Sequence, residues 1–233
     1  MNKDEFYKSV LELGINLNDE VINKLEMFSN LLLEYNKHTN ITAIRDINGV
    51  YLKHFYDSLT LIKVCDLNKS INVLDVGSGG GFPGIVLAIV FPNLNVTLLD
   101  SNHKKSDFQK YIVDKLNLEN VLVVNQRAED YFKEENYFDL VVARAVANLN
   151  ILAELCIPFV KKDGYFIAMK GDINDELING MRAVEYLGGK LIKKQEFYLY
   201  NNEDKRILLV IKKEKDSPLG YPRIYDKIIK KPL

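Results

Sequence analysis

The chain has 233 residues, 47% of them hydrophobic and 27% charged, with a formal net charge of −1. That composition is ordinary for a soluble globular protein, and the length suits one full-sized core with an extension rather than two equal domains. No run approaches the roughly 18 uninterrupted apolar residues of a membrane span. The opening MNKDEFYKSV lacks the apolar stretch of a secretory signal, so the cytoplasm is the expected compartment.

Two amphipathic helical patterns come first: Glu5 to Leu13, stopped by Gly14, and Glu20 to Lys37. The second has Asn18 as its N-cap and a stripe of Val21, Leu25, Phe28 and Leu32. A third, near Val50 to Val64, turns Leu52, Phe55, Leu59 and Ile62 to one face and leaves His54, Asp57 and Ser58 on its flank. From Asn72 the pattern changes to short β-rich runs, NVLDV, NVTLLD, VLVVN, FDLVVA and YFIAMK, separated by segments long enough for crossover helices. This is the βαβ signature of a mostly parallel, doubly wound α/β sheet, whose ligand crevice lies at the carboxyl ends of the strands. A helix near Asn174 to Tyr186 follows, then two strands, LIKKQEFYLY and KRILLVIKK, joined by the polar turn NNED as a terminal hairpin.

The last stretch is basic: residues 205–233 contain nine Lys or Arg against three Asp or Glu, leaving −7 for the rest. The resulting division is a helical extension (1–66), an α/β core (67–215) and a basic tail (216–233). Cys65 and Cys156 are far apart, and neither has a CxxC or metal-ligand neighbourhood; both are expected to be buried thiols, and no metal is expected.

The densest chemical signal is VLDVGSGGGFPG, residues 73–84, where an apolar strand ends in Asp75 and a glycine run leads into a helix. Glycines let a ligand approach the backbone, and Gly79, Gly81 and Gly84 satisfy the letter of GxGxxG, so a dinucleotide oxidoreductase has to be weighed. Asp100 ends the second strand, where a carboxylate can accept hydrogen bonds from two ribose hydroxyls. That implies an adenosine ligand without naming it. Asp75 ahead of the glycines, the terminal hairpin and the lack of a separate substrate domain favour S-adenosyl-L-methionine and a class I methyltransferase core.

NITAI (40–44), YLKHFYDSL (51–59), DVGSGGGFPGI (75–85), RAE (127–129), VARAVANL (142–149) and the terminal YPR and KKPL together resemble the RsmG family, also called glucose-inhibited division protein B. The resemblance runs from about residue 20 to the C-terminus. It implies an S-adenosylmethionine-dependent enzyme that methylates guanine N7 in the decoding-region hairpin of small-subunit ribosomal RNA. It also implies donor contacts at Gly77, Phe82, Ala128, Glu129 and Arg144. Arg144 would be repelled by a sulfonium, so a carboxylate or a phosphate is its expected partner. The sequence departs from the family pattern most in GYPRIYDKIIKKPL, where a more basic, proline-richer stretch is expected.

Guanine N7 carries a free lone pair in the neutral base, so methyl transfer to it needs positioning rather than a general base. No Pro-Pro-aromatic tetrapeptide follows the fourth strand, and Cys156 lacks the Pro-Cys context of cytosine-5 enzymes. No catalytic residue is therefore assigned; His54 and Asp57 are site-lining candidates. RNA phosphates are expected at Arg223, Lys230 and Lys231, with Asn40, Thr42 and Arg45 at the crevice. The partner is small-subunit ribosomal RNA or the small subunit itself, with no membrane and no stable protein partner inferred. A small-molecule methyltransferase and a non-catalytic S-adenosylmethionine-binding protein remain the alternatives, since fold does not fix function.

Overall fold

The computed structural model describes residues 1–132, 138–144, 147–171, 173, 176–200 and 204–233. The expected helix start at Asn174, the first three residues of the NNED turn, and Ala145 and Val146 of VARAVANL fall outside these.

The apolar runs pair into one seven-stranded sheet of order β3-β2-β1-β4-β5-β7-β6. β1 (Asn72–Val76) is parallel to β2 (Asn95–Leu99) and to β4 (Phe138–Arg144). β2 is parallel to β3 (Val121–Val124), and β4 to β5 (Val160–Lys170). β6 (Gly189–Tyr198) and β7 (Lys205–Lys213) close the sheet as an antiparallel hairpin, β7 pairing with β5. Because the chain winds outward in both directions from β1, the carboxyl ends of β1, β2 and β4 splay around a crevice.

Alternate residues of each strand feed opposite faces. Val73, Leu98, Val142, Ile167 and Val210 join the apolar cluster on one face; Leu74, Leu99, Val141, Phe166 and Leu209 join the other. The first face receives α5 (Gly84–Val90) and α6 (His103–Lys115). The second receives α8 (Leu149–Cys156) and α9 (Glu176–Tyr186), while α7 (Ala128–Tyr131) is a single turn after β3.

The N-terminal helices share the core of the sheet. α1 (Lys3–Glu12) starts on an Asn2–Glu5 capping box, and α2 (Asp19–Asn36) is capped by Asn18 accepting from the Val21 N–H at 2.9 Å. Phe6, Val10, Leu25, Phe28 and Leu32 are fully buried in the same cluster as α5 and α6. The third helical segment is not a plain α-helix. It begins as α3 (Ile47–Gly49), widens to a π-helical stretch at Val50–Tyr56, returns to α at α4 (Asp57–Leu59) and tightens to a 3-10 turn at Thr60–Lys63. The widened stretch changes which side chains face inward. Tyr51, His54, Asp57, Ser58 and Leu61 are buried together with Phe55 and Leu59, whereas Leu52 and Ile62 are only half-buried. π-helical stretches concentrate at functional sites, and this one carries His54 inward.

The basic tail is tied down. Its short α10 (Tyr225–Lys230) buries Ile228 in the second cluster. Arg223 grips the fully buried Glu154 of α8 with two side-chain hydrogen bonds of 2.6 Å and donates its backbone N–H to the same carboxylate at 3.1 Å. Cys156 is buried as expected, but Cys65 is only partly covered.

A buried charge that loses its counter-ion is costly, at about 3–5 kcal/mol. Arg223→Ala should therefore lower unfolding free energy by about 3 kcal/mol, while the exposed Lys230→Ala should stay within about 0.5 kcal/mol; denaturant titration of the two variants checks the contrast.

Candidate active site

Between β1 and α5 the chain must turn back on itself in seven residues, and Gly77, Gly79 and Gly81 do this with φ of 70°, 58° and 88°, a left-handed conformation costly for any other residue. The loop is then fastened to the end of β2. Gly77 and Ser78 donate their N–H groups to the Leu99 carbonyl at 2.8 and 3.2 Å. Gly79 donates to Oδ2 of Asp100 at 2.8 Å, and Asn102 donates to Oδ1 at 2.8 Å. Gln109 of α6 donates to the Gly79 carbonyl (2.7 Å) and to Ser78 Oγ (2.8 Å).

Asp75 sits beneath this loop. It is fully buried, accepts the N–H of Gly84 at 2.8 Å, and burial raises its carboxyl to about 7. A β-carbon on Gly84 would lie 2.3 Å from Leu98 Cδ2 and 2.9 Å from Asp75 Oδ2, so only glycine lets the helix sit this close to the strand. Asp75 is not among the residues lining the cleft. Asp75, a donor-binding candidate in the sequence, shapes the loop from below, because a carboxylate near the end of a central strand is enclosed on both faces.

Above the loop lies a cleft of about 590 Å³. Its lining follows the strand order β4-β1-β2-β3: Arg144 with Thr42, His54 and Phe82, then Gly77 and Gly79 after β1, then Asp100 after β2, then Arg127, Ala128 and Glu129 after β3 with Tyr225. The set fits S-adenosylmethionine. The left-handed glycines open the backbone, and a β-carbon on Gly79 would meet nothing closer than 3.9 Å. Each Asp100 oxygen accepts one N–H and retains a further lone pair for a ribose hydroxyl.

At the first end, charge and aromatic contacts lock into a single unit. Asp57, almost fully buried, accepts from Arg144 Nη1 at 3.2 Å and from Arg206 Nε at 3.0 Å. Arg144 also donates to the Lys53 carbonyl at 2.8 Å and, through Nη2, contacts His54 Nδ1 at 3.2 Å. A guanidinium only donates, so Nδ1 of His54 accepts, and the ring proton lies on Nε2, donated to Thr42 Oγ1 at 2.8 Å. Burial and the Arg144 charge lower the imidazole to about 3. The neutral ring stacks on Phe82, centroids 4.2 Å apart and planes 8° from parallel. Phe82 in turn stacks on Phe28 of α2 at 5.3 Å.

The remaining expected residues divide between the cleft and local structure. Thr42 is at the cleft wall, whereas Asn40 and Arg45 lie outside it. Arg45 donates to the Asn36 carbonyl at the end of α2 and to Asn40 Oδ1, both at 2.7 Å. Lys230 and Lys231 are exposed on the tail, and the Arg223 guanidinium is bonded to Glu154 and holds the tail in place. Glu129 accepts the backbone N–H of Tyr225 at 3.0 Å. Arg206 and Tyr225 were not expected at all: the first resembles any strand lysine or arginine in sequence, and the second lies 96 residues from Glu129.

The fold recurs in solved structures. The YcgJ protein from Bacillus subtilis superposes with a TM-score of 0.56 at 14% identity, over 70% of this chain and all of that one. Precorrin-6y C5,15-methyltransferase from Geobacter metallireducens gives 0.54 at 14% identity, over 76% and 91%. Sheet order, glycine loop and donor cleft define a class I S-adenosylmethionine-dependent methyltransferase. Within that class, residues 21–203 match the family model described as rRNA small subunit methyltransferase G. Relatives named ribosomal RNA small subunit methyltransferase G include one from Bacillus cytotoxicus, 44% identical over 96% of this chain and 95% of its own length. Another, from Lactococcus lactis subsp. cremoris, is 40% identical over the full length of both. The chain belongs to the rRNA small subunit methyltransferase G family.

The locked histidine has a pH consequence. Unfolded, it gains a proton near 6.5; folded, only near 3. The unfolded state therefore binds more protons between these values, and stability is lost as pH falls through that window. His54→Gln should lose less stability than the wild type from pH 6.5 toward 3, and NMR should show an Nε2–H tautomer that does not titrate above pH 5. Gly79→Ala should cost roughly 1–2 kcal/mol from its backbone conformation. The added methyl, placed at the cleft, should also weaken S-adenosylhomocysteine binding about tenfold; unchanged affinity by calorimetry would remove the loop from the donor site.

Proposed function

We propose that this chain transfers the methyl group of S-adenosyl-L-methionine to N7 of a guanine in the decoding-region hairpin of small-subunit ribosomal RNA. The observation that carries the reading is full-length similarity to relatives named for small-subunit ribosomal RNA methylation, joined to a cleft that suits the donor. Bound there, S-adenosylmethionine supplies an electrophilic methyl on a sulfonium centre.

The chain's own residues then bind and orient. The Gly77–Gly81 backbone and Asp100 hold the nucleoside portion, with Ala128 and Glu129 beyond it, while Arg144 offers its charge at the other end. Asp57 and His54 fix Arg144, so its guanidinium meets a ligand carboxylate or phosphate already oriented. His54 has its lone pair turned to Arg144 and its proton to Thr42, so it is poorly placed to remove a proton. N7 requires none, because its lone pair is free in the neutral base. The exposed Lys227, Lys230 and Lys231 of the tail suit RNA phosphates at the rim. Among the described residues no helix is long and apolar enough to cross a membrane, and we place the activity in the cytoplasm with its RNA.

Incubation with labelled S-adenosylmethionine and small-subunit RNA, naked and assembled, should place label on one decoding-region guanine at N7. Label on an exocyclic amine or on a pyrimidine carbon would overturn the proposed chemistry.

A further inference from the structure

The stretch in which the sequence departs most from its family pattern, GYPRIYDKIIKKPL, brings a side chain into the donor cleft. Tyr225 opens α10 and lines the same wall as Ala128 and Glu129. Two contacts hold it there, and the chain just before it is anchored. Its backbone N–H binds Glu129 Oε1 at 3.0 Å. The Arg127 guanidinium sits 4.9 Å from its ring centroid. Two residues upstream, Arg223 is pinned to the buried Glu154. β3 lies beside β2, so an adenosine whose ribose sits at Asp100 and whose base turns toward the neighbouring strand meets the segment after β3, where Tyr225 stands.

We propose that Tyr225 is a donor-positioning residue: its ring forms the tail's contribution to the wall of the adenine end of the cleft, and the tail thereby belongs to the donor site as well as to the RNA rim. A phenol ring carries an apolar face suited to a purine, and the Arg127 cation over it restrains the ring in place. Donor affinity then depends on the seating of the tail, through Glu129 and through the ring itself. This inference rests on the cleft being the S-adenosylmethionine site.

The chain contains no tryptophan, so Tyr225→Trp installs the variant's single indole at this wall, to be excited at the long-wavelength edge where tyrosine does not absorb. Titration with S-adenosylhomocysteine and with adenosine should change its emission, and titration with methionine should not. Calorimetry with S-adenosylhomocysteine should show Tyr225→Phe within about twofold of wild type and Tyr225→Ala weaker by roughly tenfold, the size of a base–aromatic contact. RNA affinity measured without donor should stay within about twofold in both variants. Emission that responds to RNA but not to adenosine, or a Tyr225→Ala variant that binds S-adenosylhomocysteine as the wild type does, overturns the inference while leaving the donor site intact. If the wild type itself fails to bind S-adenosylhomocysteine, the donor-site reading falls with it.

Discussion

A carboxylate taken almost completely out of water has to be neutralised where it lies, and Asp57 is neutralised by residues from two distant strands. Arg144 closes β4 and Arg206 lies near the start of β7, so one buried anion joins the helical N-terminal region to the parallel part of the sheet and to its antiparallel hairpin. Removing Asp57 would leave two guanidinium groups facing each other without their shared partner. Through Arg144 the same anion orients His54, and through His54 it presses Phe82 of the glycine loop into its stack with Phe28. The N-terminal helices are therefore part of the site's construction, since the donor loop is held from above by their rings and from below by Asp75.

Neutrality of the imidazole follows from the same arrangement. A histidine at the mouth of a cleft invites the role of base, yet the donor–acceptor logic of its two nitrogens leaves it one tautomer. Its placement next to a guanidinium opposes a second charge. The site is thus rich in fixed dipoles and poor in groups ready to take a proton, which suits an acceptor whose lone pair is already available.

Much of the fold was legible in the sequence because parallel strands buried on both faces read as continuous apolar runs. β7 coincides with KRILLVIKK, and β1 with NVLDV. β5 extends back to Val160, beyond the expected Tyr165, because the intervening Lys161, Lys162 and Asp163 are polar and exposed and carry no strand pattern. The third helix has a regular period in the sequence; its π-helical stretch and the α-turn that follows it bury His54, Asp57 and Ser58, where the period implies only a flank. The glycine loop was readable from spacing alone; the partners of Asp57 were not, as Arg206 lies 149 residues away. The basic tail shows the same limit. Arg223 carries the charge expected of a phosphate contact, but the buried Glu154 that claims it sits in an apolar stretch that gave no sign of pairing.

In the proposed reaction the chain accelerates methyl transfer by orientation, with no proton moved in the chemical step. The most direct measurement is the solvent deuterium isotope effect on single-turnover methyl transfer to small-subunit RNA, with donor and RNA saturating. The account predicts the same rate in light and heavy water. A clearly slower rate in heavy water would show a proton in flight at the transition state and would require a general base that positioning by the glycine loop, Asp57, Arg144 and His54 does not provide.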